Sequence, residues 1–251
     1  MNAKKKILTA AVVASLSIAT GANAAMSDAV DGNWSGQLDF NGTITDSNPV
    51  WQFQIMDDTQ QLYTDIDLQS GAGVINQDET VTWKLDDGEV HSLLEGNMKQ
   101  SAATGGADLF PVVKVTAASG DVELVSGAAD ATNVTLDVTG SDSAAIKVSL
   151  SRDDLVTYKD SNDAEQAFTN AASIPANLSA LIQSVNGAVD PASATATTGG
   201  GNATTIYTTE DNTIITGALG LSIQNATLTA ASLTDYPETW SATMPVTITM
   251  Q

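Results

Sequence analysis

Trp34-Ser-Gly-Gln-Leu-Asp-Phe-Asn-Gly-Thr-Ile44 carries an apolar residue or glycine at every even position: Trp34, Gly36, Leu38, Phe40, Gly42 and Ile44. The odd positions, Ser35, Gln37, Asp39, Asn41 and Thr43, are all polar. Successive side chains of a strand point to opposite faces, so this unbroken alternation predicts a strand with one face on a core. The far end of the chain repeats the pattern. Trp240, Ala242, Met244, Val246, Ile248 and Met250 alternate with Ser241, Thr243, Pro245, Thr247, Thr249 and Gln251. Pro245 has no N–H to give to a ladder, which suits an edge strand. An alternating segment at one end and a still-alternating edge at the other suit strand addition between chains. They suit equally the pairing of first and last strands inside one closed domain.

Between these ends, short period-two runs recur. They include Trp51, Phe53 and Ile55; Leu62 to Leu68; Val81, Trp83 and Leu85; Val134 to Val138; Ile146 to Leu150; and Leu219 to Ile223. Turn signals such as Asp87-Gly88, Ser119-Gly120 and Thr139-Gly140 separate them. That punctuation predicts a mainly β antiparallel sandwich or barrel. One stretch differs: Leu178, Leu181, Ile182 and Val185 fall at helical spacing within Ser173–Asn186. Ser173 is placed to cap this helix and Pro175 sits in its first turn. A second, weaker helical pattern runs from Asp163 to Ala172, and residues 192–205, with Gly199-Gly200-Gly201, read as a surface loop.

The first 24 residues pair Lys4, Lys5 and Lys6 with an apolar run from Ile7 to Ala19 and small residues at Ala22 and Ala24. This is the layout of a secretory signal, and the run is too short to span a bilayer. Removing it leaves 227 of 251 residues, with 6 basic against 30 acidic side chains, a net charge of −24. Such a charge repels nucleic acid and anionic lipid and argues against both as partners. There is no cysteine, so stability rests on burial and on the sheet ladders.

Nothing in this composition builds a catalytic centre. His91, the sole histidine, lies in Glu89-Val-His-Ser-Leu without a nucleophile elbow. The acid pairs Asp57-Asp58, Asp86-Asp87 and Asp153-Asp154 lack the spacing of a calcium loop and read as solvated faces. Asp65 and Asp67 share parity on the expected Leu62–Leu68 strand, a weak calcium motif at most. Gly199-Gly200-Gly201 is followed by no Gly-Lys-Ser/Thr and is no phosphate loop. No enzyme and no cofactor are expected.

The two ends resemble the subunits of chaperone–usher fimbriae, and are most similar to the cysteine-free adhesive major subunits of thin, flexible enterobacterial fimbriae. Residues 34–45 resemble that branch's donor segment, and Trp240-Ser-Ala-Thr-Met-Pro-Val-Thr-Ile-Thr-Met-Gln251 its terminal strand. Ser149-Leu-Ser-Arg-Asp-Asp-Leu155 and Ala218-Leu-Gly-Leu-Ser-Ile-Gln-Asn-Ala226 are also similar. Two departures stand out: Met250 occupies a penultimate position that is often aromatic, and Pro245 lies one alternation step from that branch's proline.

The resemblance implies an immunoglobulin-like antiparallel sandwich lacking its last strand, with a short helical insertion near 160–205. It divides the chain into a signal (1–24), a donor segment (25–45) and the incomplete domain (46–251). A periplasmic chaperone strand would fill the groove first, against Trp240, Met244, Val246, Ile248, Met250 and Gln251. An outer-membrane usher and the donor segment of the next subunit would follow, carrying the chain through the periplasm to a surface fimbria. A host glycan receptor joins the partners if the subunit is itself adhesive, and the insertion is then where it would bind. The competing expectation is a free periplasmic or secreted β-sandwich that binds a carbohydrate or metal ion.

Overall fold

A computed structural model of the chain describes residues 27–28, 33–36, 51–127 and 131–251. The expected signal, and Leu38, Phe40, Gly42 and Ile44 of the expected donor strand, lie outside these residues. In chain order the elements are β1 (Ser27–Asp28), β2 (Asn33–Gly36), β3 (Trp51–Ile55), α1 (Asp57–Leu62), β4 (Val74–Ile75), β5 (Val81–Lys84), β6 (His91–Met98), β7 (Ala102–Thr104), β8 (Pro111–Ala117), β9 (Gly120–Leu124), β10 (Thr132–Asp137), β11 (Ala145–Lys159), β12 (Glu165–Thr169), α2 (Ala176–Gln183), β13 (Thr195–Thr198), α3 (Thr204–Thr208), β14 (Thr213–Ala230) and β15 (Val246–Met250).

The described strands form two sheets. The larger runs β1-β3-β6-β14-β11-β12-β13, with β5 and β7 also on β14, β4 on β5 and β10 on β11. The smaller runs β2-β15-β8-β9. Their facing sides make one core: Trp51, Phe53, Leu94, Leu150 and Leu221 from the large sheet meet Val113, Val115, Val246 and Ile248 from the small one. Alternation decides which residues enter. Strand β3 buries Trp51, Phe53 and Ile55 and leaves Gln52 and Gln54 half-exposed, and β15 buries Val246, Ile248 and Met250 between exposed threonines. The β8–β9 hairpin turns at Gly120, whose φ of 108° suits glycine alone. The architecture is therefore the mainly β sandwich that the patterning predicts.

Several local expectations are corrected. Helix α2 is shorter than 173–186 and its N-cap is Pro175, without a side-chain cap bond, not Ser173. It buries Leu178 and Ile182 on Leu155 and Ala218, forming a small second core on the outer face of the large sheet. No helix forms over 163–172. Asp160 accepts the N–H groups of Asn162 and Ala164, and Asp163 takes a φ of 60°. This tight turn sends Glu165–Thr169 back along β11 as β12. A local side-chain turn thus outcompetes weak helical spacing. The loop expected at 192–205 contains the exposed strand β13, paired parallel to β12, and the start of α3.

The period-two run from Leu62 to Leu68 is no strand. Helix α1 occupies its start, with Asp57 and Asp58 in the first turn, where carboxylates oppose the positive end of the helix dipole. The terminal strand is also shorter than its pattern. Only Val246–Met250 is strand, and residues 240–245 are irregular apart from a bridge between Ser241 and Thr139. Pro245 stands immediately before β15 and marks that boundary.

Candidate strand-acceptor groove

Strand β15 is paired on both sides, and is not the edge that Pro245 suggested. On one side Val246, Ile248 and Met250 face Val115, Val113 and Pro111 of β8. Past the strand end, Gln251 exchanges backbone bonds with Phe110, at 2.9 and 3.0 Å. On the other side β15 meets the chain's own β2, antiparallel, with Val246 opposite Gly36 and Ile248 opposite Trp34. The two alternating termini therefore find each other within one chain, as the closed-domain alternative requires.

Among the described residues that ladder runs as far as Gly36 and Val246. Beyond it, along Met244, Ala242 and Trp240, the described residues leave a groove. Three adjoining hollows share Ile66 and Trp240 in their walls. The innermost is floored by Leu85, Leu136, Ile146, Val148 and Ile223. The outermost, about 430 Å³, opens between residues 63–66 and 238–242. Met244 is fully buried, whereas Trp240 and Ala242 are half-exposed at this mouth.

The wall facing residues 240–244 is irregular chain that follows α1. Asp65 has a φ of 53°. Two side-chain bonds pin this wall: the Tyr63 hydroxyl donates to Asp86 Oδ2 at 3.0 Å, and the Trp83 indole N–H donates to the Gln69 carbonyl at 3.2 Å. Asp86 is itself anchored, accepting the Ala226 N–H on Oδ2 at 2.7 Å and the Gly88 N–H on Oδ1 at 3.0 Å. Burial, and then the Asp86 carboxylate, push the Tyr63 hydroxyl above its usual range. It stays a neutral donor.

Of the residues expected at the groove edge, Met244, Val246, Ile248 and Met250 are buried in the core, Trp240 lines the mouth, and Gln251 is exposed. Sequence reasoning missed Tyr63, Ile66 and Asp86. Alternation assigns Ile66 to a strand, and the doublet Asp86-Asp87 suggests a solvated acid pair. Nor is Asp153-Asp154 a solvated pair: Asp154 is 1 % exposed, and its Oδ1 lies 2.8 Å from the Arg152 guanidinium. Burial, and then the charge of Asp154, raise the neighbouring Asp153 carboxyl. His91 sits at the surface with Nε2 2.8 Å from Asp87 Oδ1. Asp65 and Asp67 lie on the irregular wall and share no strand face.

The geometry therefore presents a groove with an apolar floor and a largely polar mouth, continuing the edge of the terminal strand that β2 occupies. It can accept an extended, alternating peptide by main-chain pairing and side-chain insertion. A family model described as fimbrial, major and minor subunit matches residues 4–251. No curated protein matches the chain.

Proposed function

The chain belongs to the fimbrial major and minor subunit family, and from that premise we propose that it polymerises by strand donation, the N-terminal segment of one subunit filling the groove of the next. As a family member it is a structural subunit of a surface appendage and associates with other fimbrial subunits. The finer reading is that a periplasmic chaperone holds the groove of the exported subunit until an outer-membrane usher exchanges it for the donor.

The observation that carries this reading is the register of β2 on β15. Gly36 pairs with Val246 and Trp34 with Ile248. Each two-residue step forward on the donor is a step back on the acceptor. If residues 240–244, irregular in the single chain, take up the ladder when a donor binds, its extension would set Leu38 against Met244, Phe40 against Ala242 and Gly42 against Trp240. Opposite positions in an antiparallel pair share a face, so the apolar side of the donor enters the groove. The sizes complement one another: a large ring meets alanine, and glycine meets the indole. Slipping by two would set Phe40 against Trp240 or leave Gly42 against Ala242. Register is thus encoded in bulk as well as in polarity.

Filling the groove is worth about 1.5–3 kcal/mol for each large apolar residue fully buried. Donation from one subunit to the next is heterologous, so it generates open filaments. The N-terminal segment supplies both the chemistry and the length for this. Deleting residues 25–44 is expected to leave an exported subunit that forms no fibres, as judged by electron microscopy of cells carrying only the deletion form. Fibres of ordinary length and number from those cells would overturn the proposal.

A further inference from the structure

We propose that Tyr63, held by Asp86 against a bulge in β14, is the specificity-determining residue of the groove, selecting donors with an aromatic ring at the position of Phe40. This rests on the strand-donation reading above.

The chain of contacts starts in the large sheet. Against β11, the register of β14 slips between Gln224 and Thr227, and Asn225 takes a φ of 55°. This bulge turns the Ala226 N–H away from β11 and onto Asp86 Oδ2, while the Ala226 carbonyl accepts the Leu85 N–H at 2.9 Å. Bulges commonly re-aim groups beside functional sites. Here the bulge fixes a carboxylate, whose Oδ1 is occupied by the Gly88 N–H. The same Oδ2 oxygen takes the Tyr63 hydroxyl.

Tyr63 is the C-cap residue of α1, where the helix gives way to the irregular wall. Its side chain lines both the apolar floor and the outer mouth of the groove, together with Ala242 and Trp240. Continued past its last pair, Gly36 with Val246, that register would bring Phe40 of a donor opposite Ala242. The small side chain leaves space on one side of that position, and Tyr63 bounds the space on the other. A ring at position 40 then meets a ring whose hydroxyl is locked, so it cannot swing aside for an aliphatic donor of different shape. Aromatic pairs at fixed separation gain beyond their buried area, and this gain depends on the lock.

The test is a double-mutant cycle on full-length subunits assembled into fibres, read as the rate of disassembly in guanidinium. Four fibres are compared: parent, Tyr63→Phe, Phe40→Leu, and the pair together. Tyr63→Phe keeps the ring and removes only the hydroxyl. Losing a hydrogen bond to a charged acceptor should speed disassembly of Phe40 fibres by about tenfold, with a much smaller effect in Phe40→Leu fibres. Asp86→Asn, which keeps an acceptor, should fall between parent and Tyr63→Phe. Equal acceleration in Phe40 and Phe40→Leu fibres would reduce Tyr63 to a general support of the fold and overturn the proposal, as would no acceleration. If Phe40→Leu alone leaves the rate of the parent unchanged, strand donation through this register fails, and the selectivity claim falls with it.

Discussion

Arg152 and Asp154 lie two apart on β11, so both point into the core. Arg152 is 6 % exposed and Asp154 1 %. Arg152 Nε bonds both carboxylate oxygens at 3.1 Å, and its Nη2 bonds Oδ1 at 2.8 Å. Nη1 and Nη2 also donate to the carbonyls of Leu124 on β9 and Pro111 on β8, at 3.1 and 2.9 Å. The guanidinium carbon sits 5.1 Å from the centre of the Phe110 ring. One buried cation therefore joins the large sheet to the small one, beside the Phe110–Gln251 bonds that close β15. The Asn170 side chain caps the Asp154 N–H and the Arg152 carbonyl from the flank. Removing one charge strands the other in a dry site, which costs about 3–5 kcal/mol, whereas replacing both with apolar residues is often nearly neutral. Arg152→Met or Asp154→Asn should accordingly lower the midpoint of guanidinium unfolding sharply, and Arg152→Met with Asp154→Leu should recover most of the loss. A single variant as stable as the parent would show that the pair carries no such role.

At the scale of elements, the long alternating strands were legible because burial on one face imposes period two, and β3, β5, β10, β11 and β14 fall where that period runs. Elements decided by local chemistry were not. The Asp160 turn converts an expected helix into β12, and beyond the end of α1 at Tyr63 the left-handed backbone of Asp65 leaves irregular chain where a strand is expected. Neither competition registers in hydrophobic period. The groove was half legible. Its β15 side follows from alternation, but its other wall is irregular chain held by Tyr63 and Asp86, residues whose roles come from one side-chain bond across 23 positions of sequence. Nor could Arg152-Asp-Asp be told from surface charge, because its partners are backbone carbonyls supplied by other strands. The donor strand itself offers a sharper prediction. In the proposed register Gly42 would stand against Trp240 and leave room for the indole, so Gly42→Val should reduce fibre yield strongly. Gln37→Val, on the opposite face, should change it little. Quantifying fibre protein sheared from cells distinguishes the two, and equal yields would contradict the inward placement of position 42.

Across the whole molecule, a net charge of −24 after removal of the expected signal makes neighbouring subunits repel one another, so in the proposed polymer cohesion along a fibre would fall to the groove. The same edge of β15 that β2 occupies within one chain is the edge a neighbour's N-terminal segment would occupy in a polymer. Only the identity of the donor distinguishes a closed monomer from a filament. The absence of cysteine makes this directly measurable, since two introduced thiols have no competitors. Ser35 and Thr247 are register partners across β2 and β15, near enough for a disulfide in an antiparallel pair. Fibres assembled from the Ser35→Cys, Thr247→Cys subunit, oxidised and then boiled in detergent without reductant, should run as a covalent ladder of dimers, trimers and longer chains that collapses to monomer on reduction. A single monomer band carrying an internal disulfide, from fibres intact before boiling, would contradict the account.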